Sequence, residues 1–97
     1  MIINWERHTR GIGNLVFYEK TFGNNEVSII IHPLYTLKAD RSGEEYISAY
    51  EASIGSRPTE WLANIKGNRI RGQSESQAIN KVIKIVEFYW KAYNKKW

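Results

Sequence analysis

The amino-acid sequence predicts an α+β fold, in which an antiparallel meander of about four β-strands packs against one long C-terminal α-helix (ββββα). Three observations support this prediction. A chain of 97 residues is long enough for one domain with one modest core. Runs of β-branched and aromatic residues, separated by turn-forming residues, fill the first two thirds of the chain. The long stretch with helical periodicity comes last, and strands followed by a helix favour this class over alternating βαβ units.

The whole chain, residues 1–97, is therefore expected to be a single domain. Strands are predicted at residues 14–22, 26–38, 45–54 and 60–66. Gly23, Asn24 and Asn25 join the first two strands and are typical of a hairpin turn. Pro33 cannot donate a ladder hydrogen bond, so it indicates an edge position, a bulge or the end of regular pairing.

In the third and fourth predicted strands, apolar residues alternate with other residues. One set of alternate positions in the third strand is mostly polar, so the opposite face is predicted to point inward. That inward face carries Tyr46, Ser48, Tyr50, Ala52 and Ile54. In the fourth predicted strand Trp61, Ala63 and Ile65 alternate with Leu62, Asn64 and Lys66. Two segments stay open: residues 1–13 as a short strand or an arm, and residues 69–71 as a short return or a loop.

The C-terminal segment predicts a helix over about residues 75–96. Ser74 and Gln77 fit a capping box, in which each side chain satisfies a backbone N–H of the first turn. At about 100° per residue, seven apolar residues share one face of this helix. They are Ile79, Val82, Ile83, Val86, Trp90, Tyr93 and Trp97. This stripe predicts packing against the sheet, and it could alternatively form a dimer seam.

The opposite face of the predicted helix carries basic residues around one aromatic ring. Lys81, Lys84, Lys91 and Lys95 lie there with Phe88 in their midst. A second basic group, Lys66, Arg69 and Arg71, comes just before the helix. If its loop lies beside the N-terminal half of the helix, the two groups form one patch. Three interpretations stay open, namely a solvated face, a nucleic-acid surface and a docking surface for a protein.

The distribution of charge agrees with a basic C-terminal surface. The net charge is +4. Residues 1–56 hold five basic and seven acidic residues, whereas residues 57–97 hold nine basic and three acidic ones. A surface of one sign steers oppositely charged partners, but it says little about the fold.

The sequence gives little support to catalysis, and the protein is expected not to be an enzyme. It has no cysteine, and its two histidines, His8 and His32, lack a second ligand at metal spacing. Asp40 is the single aspartate, and no G-x-S-x-G motif is present for a serine nucleophile. No metal or cofactor is expected, and His32 is expected to be a half-buried, hydrogen-bonded strand residue.

The leading functional hypothesis is a non-enzymatic module that binds nucleic acid with low sequence specificity through the lysine and phenylalanine face. The alternative is a small inhibitor or adaptor of a nucleic-acid-handling protein, of the kind frequent among phage and mobile-element accessory proteins. A homodimer is a third possibility, joined through an edge strand near Pro33 or through aromatic surface at Trp5, Tyr18 or Trp97. The sequence has no long apolar run, so a cytoplasmic location without a membrane partner is expected.

Overall fold

An antiparallel five-stranded sheet packed against one α-helix forms the fold, which confirms the predicted α+β class. The computed structural model describes residues 4–11, 15–55, 60–65 and 67–95. The strands are β1 (Glu6–Arg10), β2 (Leu15–Phe22), β3 (Asn25–Leu37), β4 (Glu45–Ile54) and β5 (Ile70–Gly72). A 3₁₀ helix (Glu60–Ile65) connects β4 to β5, and helix α1 (Glu75–Asn94) follows. The strands lie in chain order across the sheet, so β1 and β5 are its two edges.

The core lies between one face of the sheet and α1. Tyr18, Ile29 and Ile54 are register partners across β2, β3 and β4, and all three are buried. Trp5 is buried as well, so the predicted dimer surface at Trp5 and Tyr18 is wrong, and Trp97 lies outside the described residues. The helix contributes the fully buried Ile79 and Val86 to the same cluster. Because successive residues of a strand point to opposite faces, the odd-numbered residues of β3 from 27 to 31 are buried on the helix side.

The prediction for β4 is confirmed over its second half and wrong over its first. Ala52 and Ile54 are buried and Tyr50 is half-buried, whereas Tyr46 and Ser48 are exposed. One cause is a β-bulge. Ala49 pairs with Leu34, but the next pair is Ile47 with Tyr35, so Ser48 has no partner on β3. The other cause is that the strand continues past the sheet's other strands.

The outer halves of β3 and β4 form a projecting hairpin, here called the hairpin arm (residues 34–48). Pairing of β3 with β2 ends at Ile31, and pairing of β4 with β5 ends at Tyr50. The described residues of the arm therefore pair with each other alone. The chain is correspondingly elongated, with extents of 58 × 24 × 23 Å.

The predicted fourth strand, residues 60–66, is wrong. Residues 60–65 form the 3₁₀ helix, and Lys66 lies outside the described residues. Leu62 is fully buried, Trp61 and Ile65 pack against the core, and Ala63 is exposed. Apolar residues at positions 61, 62 and 65 line one side of a helical turn, and this spacing is as compatible with a turn of helix as with a short strand.

The two segments that the sequence left open are both strands. Residues 6–10 of the N-terminal segment form β1, which pairs with β2 from Glu6 opposite Glu19 to Arg10 opposite Leu15. Ile70–Gly72 form the short edge strand β5. Among the residues described, no helix combines the length and the apolar character that crossing a membrane requires.

Candidate nucleic-acid interface

Helix α1 begins at a side-chain cap that fixes its first turn. The Ser74 hydroxyl accepts a hydrogen bond from the backbone N–H of Gln77 at 3.2 Å, as predicted. The Gln77 side chain reaches back one residue further than predicted, since its Oε1 accepts from the backbone N–H of Gln73 at 2.9 Å. Both bonds satisfy N–H groups at the start of the helix, which anchors α1 directly after β5.

The first turn of α1 lies against β5, and this proximity depends on Gly72. A Cβ atom at Gly72 would lie 2.9 Å from Cα of Ala78, which is shorter than real contacts allow. Glycine thus permits close approach of the edge strand and the helix. Packing of Ala78, Ile79 and Val82 then turns the opposite side of α1 to solvent.

A polar interaction fixes the N-terminal end of α1 to the first two strands. Arg7 donates two hydrogen bonds to the Glu75 carboxylate, at 2.9 Å and 3.1 Å, and the Tyr18 hydroxyl donates a third. The guanidinium of Arg7 is the main cause that lowers the pKa of Glu75. Burial, together with the bond to Glu75, raises the pKa of Tyr18 to about 12. These bonds connect the N-terminal end of α1 to β1 and β2.

Five residues on the exposed side of α1 form one line, here called the lysine stripe. They are Lys81, Lys84, Phe88, Lys91 and Lys95. Their spacing of three and four residues places them on the same side of the helix. At 1.5 Å per residue the stripe is about 21 Å long. All five are exposed, so the structure brings together the helix residues that the sequence singled out.

Phe88 lies at the middle of the stripe and is 68% exposed. Its aromatic contact is with the neighbouring Tyr89, edge to face at 5.8 Å between ring centroids. Most of the ring therefore stays accessible to a ligand. Lys84 is one turn before Phe88 and Lys91 one turn after it, so ammonium groups flank the ring along the helix.

The positive charge of the stripe is not neutralised by neighbouring carboxylates. Within the described residues, no carboxylate oxygen lies within 4.0 Å of the ammonium groups of Lys84, Lys91 or Lys95. Lys81 donates to the backbone carbonyl of Arg71 at 2.8 Å, which ties one end of the stripe to β5. Glu87, the acidic residue nearest in sequence to Phe88, is engaged with a lysine of the sheet.

That lysine is Lys20, which the sequence did not single out. Its Nζ lies 4.0 Å from the Glu87 carboxylate and 4.8 Å from the ring centroid of Phe22. Lys20, Glu87 and Lys91 line the same shallow cavity of about 310 Å³, so Lys20 lies beside the stripe with its charge paired to Glu87. The sequence contained a signal for this position, because Lys20 lies two residues from both Tyr18 and Phe22. Residues two apart in a strand share one face, which here is the helix-facing side of β2.

The second basic group does not join the lysine stripe in the described residues. Arg69 lies 3.6 Å and Arg71 lies 3.9 Å from the carboxylate of Glu51. Glu51 pairs with His32 on one side and Arg71 on the other, so these side chains belong to the sheet face opposite the helix. Lys66, the third member of this group, is outside the described residues. Arg69 and Arg71 are thus a separate basic group that shares one carboxylate.

The open face of the sheet carries an aromatic and histidine pair. His8 and Phe17 are register partners and stack at 5.1 Å, with the Arg10 guanidinium 5.6 Å from the Phe17 ring. His32 is half-buried, and its Nε2 lies 2.9 Å from the Ser53 hydroxyl oxygen, which agrees with the predicted hydrogen-bonded strand residue. Burial and the nearby Arg69 lower the pKa of His32.

This open face is divided in charge. Glu6, Glu19 and Glu26 lie toward one end, and a hydrogen bond with Glu26 is the main cause that raises the pKa of Glu19. The arginines lie toward the other end. In the described part of the chain no cluster of three or more histidine, aspartate or glutamate side chains has the arrangement of a metal site. The lysine stripe is therefore the more uniformly basic of the two surfaces.

Comparison of the chain with protein-family models, with curated proteins and with solved structures finds no match.

Proposed function

We propose that the protein is a non-enzymatic module that binds single-stranded nucleic acid through the lysine stripe. One observation carries the proposal: Phe88 is 68% exposed in the middle of a line of lysines, three of which have no carboxylate within ion-pair distance in the described chain. The lysines would neutralise phosphates, and the ring would stack on an unpaired base. The proposal includes a cytoplasmic location, where such a module would meet its target.

Sequence specificity is expected to be low. Lysine is a compact point charge, and the planar fork with which arginine reads base edges is absent from the stripe. Stacking on Phe88 would accept any base, because each base presents an aromatic face. The stripe is about 21 Å long, a length that suits a few nucleotides of extended strand.

Binding is measured by fluorescence anisotropy with a labelled oligonucleotide of mixed sequence as single-stranded DNA, the same strand as RNA, and double-stranded DNA. The test variant is Lys84→Glu, which reverses one charge beside Phe88. The matched control is Lys38→Glu on the hairpin arm, where the native lysine already pairs with Glu44 at 2.8 Å. Both variants change the net charge equally, so a difference between them reports position.

The proposal predicts that Lys84→Glu weakens binding to single strands at least tenfold and that Lys38→Glu weakens it less than threefold, because charge reversal replaces an attraction with a repulsion at a phosphate. Equal losses would show a response to net charge alone and would reject the stripe as the binding surface. Absence of binding to all three nucleic acids at about 50 mM salt would reject the proposed function.

A protein target is the second candidate, and one feature of the surface favours it. Tyr89, the neighbour of Phe88, lines an aromatic groove of about 550 Å³ together with Glu60, Trp61, Asn64, Ala92 and Tyr93. A protein segment could fill this groove while Phe88 serves as an anchor with lysines around it. The protein would then be a small inhibitor or adaptor. Such a complex would survive moderate salt and lose most of its affinity on Phe88→Ala, whereas phosphate-driven binding weakens steeply with salt.

A further inference from the structure

The hairpin arm exposes apolar side chains that no other part of the described chain covers. Four of the six large exposed hydrophobic residues belong to it: Tyr35 (60% exposed), Leu37 (63%), Tyr46 (46%) and Ile47 (42%). Tyr35 and Ile47 are register partners, and Leu37 is two residues from Tyr35, so these three share one face of the arm. Tyr46 pairs with Thr36 and belongs to the other face.

Within the described residues the arm also has two backbone edges that pair with no further strand, and the two edges differ. The β4 edge is interrupted by the bulge at Ser48 and ends in Glu44 and Glu45. Bulges and charged residues are features that discourage addition of a further strand. The β3 edge from Leu34 to Leu37 is regular and uncharged. The β3 edge is therefore the one suited to pairing.

The charges of the molecule favour a second copy of the chain on this edge. The lysine stripe would repel another copy, but the arm is close to charge balance, and its Lys38 and Glu44 already pair at 2.8 Å. Pairing through the arm keeps two stripes apart and exposed. A nucleic acid is disfavoured at the arm, because its acidic residues slightly outnumber its basic ones.

The register of such pairing is restricted by the sequence of β3. In antiparallel pairing, directly opposed residues lie on the same face of the sheet. The apolar faces of the two copies therefore coincide if Tyr35 lies opposite Tyr35 or opposite Leu37. Tyr35 opposite Tyr35 would place Pro33, which has no N–H, opposite Leu37. Tyr35 opposite Leu37 avoids the proline and puts the two-fold axis at Thr36. Each Tyr35 then contacts a Leu37, with Ile47 beside it.

We infer that the protein forms a two-fold symmetric homodimer in which the β3 edges of two hairpin arms pair antiparallel about Thr36. The four arm strands then form one continuous sheet in which Tyr35, Leu37 and Ile47 of both copies lie side by side on one face and partly shield one another from water. This inference does not depend on the proposed function, because dimerisation is measured without nucleic acid.

Sedimentation equilibrium and light scattering measure the mass over a range of protein concentrations. The wild-type chain is expected to reach twice its 11.4 kDa mass at about 100 µM, a concentration suited to a small interface. The double variant Tyr35→Glu with Leu37→Glu is expected to raise the dimer dissociation constant at least tenfold. The control Tyr46→Glu introduces one glutamate on the opposite face of the arm and is expected to alter the dissociation constant less than threefold.

Crosslinking tests the register, because the chain has no cysteine of its own. A Thr36→Cys variant would bring two thiols together at the axis and form a covalent dimer with a short bismaleimide. A Tyr46→Cys variant would keep its two thiols three strand spacings apart, about 14 Å, and should not crosslink. Circular dichroism verifies that all variants keep the fold.

A monomer at every concentration would overturn the inference and leave the arm to a different protein. A dimer that the double variant leaves intact, or that Tyr46→Glu weakens as much, would also overturn the assignment to the β3 edge. Crosslinking at position 46 but not at position 36 would contradict the register.

Discussion

Truncation of Phe88 separates a binding role of the ring from a structural one. Because the ring is 68% exposed and contacts mainly Tyr89, Phe88→Ala should change the free energy of unfolding by less than about 0.5 kcal/mol. Alanine also has the higher helix propensity, which offsets part of any loss. A variant with unchanged stability then isolates the contribution of the ring to binding.

The expected loss of affinity follows from the stacking of one base. Stacking on an aromatic side chain contributes about 1–3 kcal/mol, so Phe88→Ala should weaken binding to single strands about 5- to 150-fold. Binding to a duplex should change less than about twofold, since its bases are already stacked on each other. Fluorescence anisotropy at constant salt measures both affinities, and urea unfolding measures stability.

The control for Phe88→Ala is Tyr46→Ala, which removes another exposed aromatic ring from the hairpin arm. This control should retain the wild-type affinity. Unchanged single-strand affinity in Phe88→Ala would refute a stacking role for the ring. An equal loss on single strands and duplexes would refute recognition of an unpaired base.

Three further predictions concern stability, each measured by urea unfolding. Leu62→Ala should cost about 3–5 kcal/mol because the side chain is fully buried. Ala63→Ser should cost less than about 0.5 kcal/mol because Ala63 is exposed. The reverse order of the two costs would indicate a strand at residues 60–65. Gly72→Ala should cost about 1–3 kcal/mol or more through its clash with the first turn of α1, and a neutral effect would show that β5 is free to move. Glu75→Gln should cost about 1 kcal/mol near pH 7 by removing the ion pair with Arg7. Because that pair lowers the pKa of Glu75, its contribution to stability is present above the ordinary glutamate pKa of about 4.3. This contribution is lost as the pH falls through the lowered pKa. A stability difference between the wild type and Glu75→Gln that does not change with pH would contradict the assignment.

The sequence predicted the helix and the long strands because their patterns depend on local chemistry. Ser74 caps α1 through its own side chain, and the helical period places Ile79 and Val86 in the core. The same reasoning failed at residues 60–65, because six residues hold too few periods to separate a 3₁₀ helix from a strand. The exposed half of β4 was missed for another reason: alternation gives the side of a strand only as far as a bulge, and it does not show where the strand leaves the rest of the sheet.

The candidate site was predicted in part. Spacing along one helix placed Lys84, Phe88 and Lys91 together, and the structure confirms that arrangement. Contacts between distant segments could not be derived from spacing. The approach of Lys20 to α1 depends on the angle between sheet and helix, and the pairing of Arg71 with Glu51 depends on strand register.

The salt dependence of binding decides whether the lysine stripe contacts phosphates. For a single strand, the logarithm of affinity falls against the logarithm of salt concentration with a slope of about −0.7 per neutralised phosphate. Three or four stripe lysines therefore predict a slope of about −2 to −3, which corresponds to a loss of affinity of roughly 20- to 50-fold between about 50 mM and about 200 mM salt. In the Lys84→Ala variant the slope should be shallower by about 0.7. A wild-type slope near zero, or a slope that Lys84→Ala leaves unchanged, would contradict binding through the stripe.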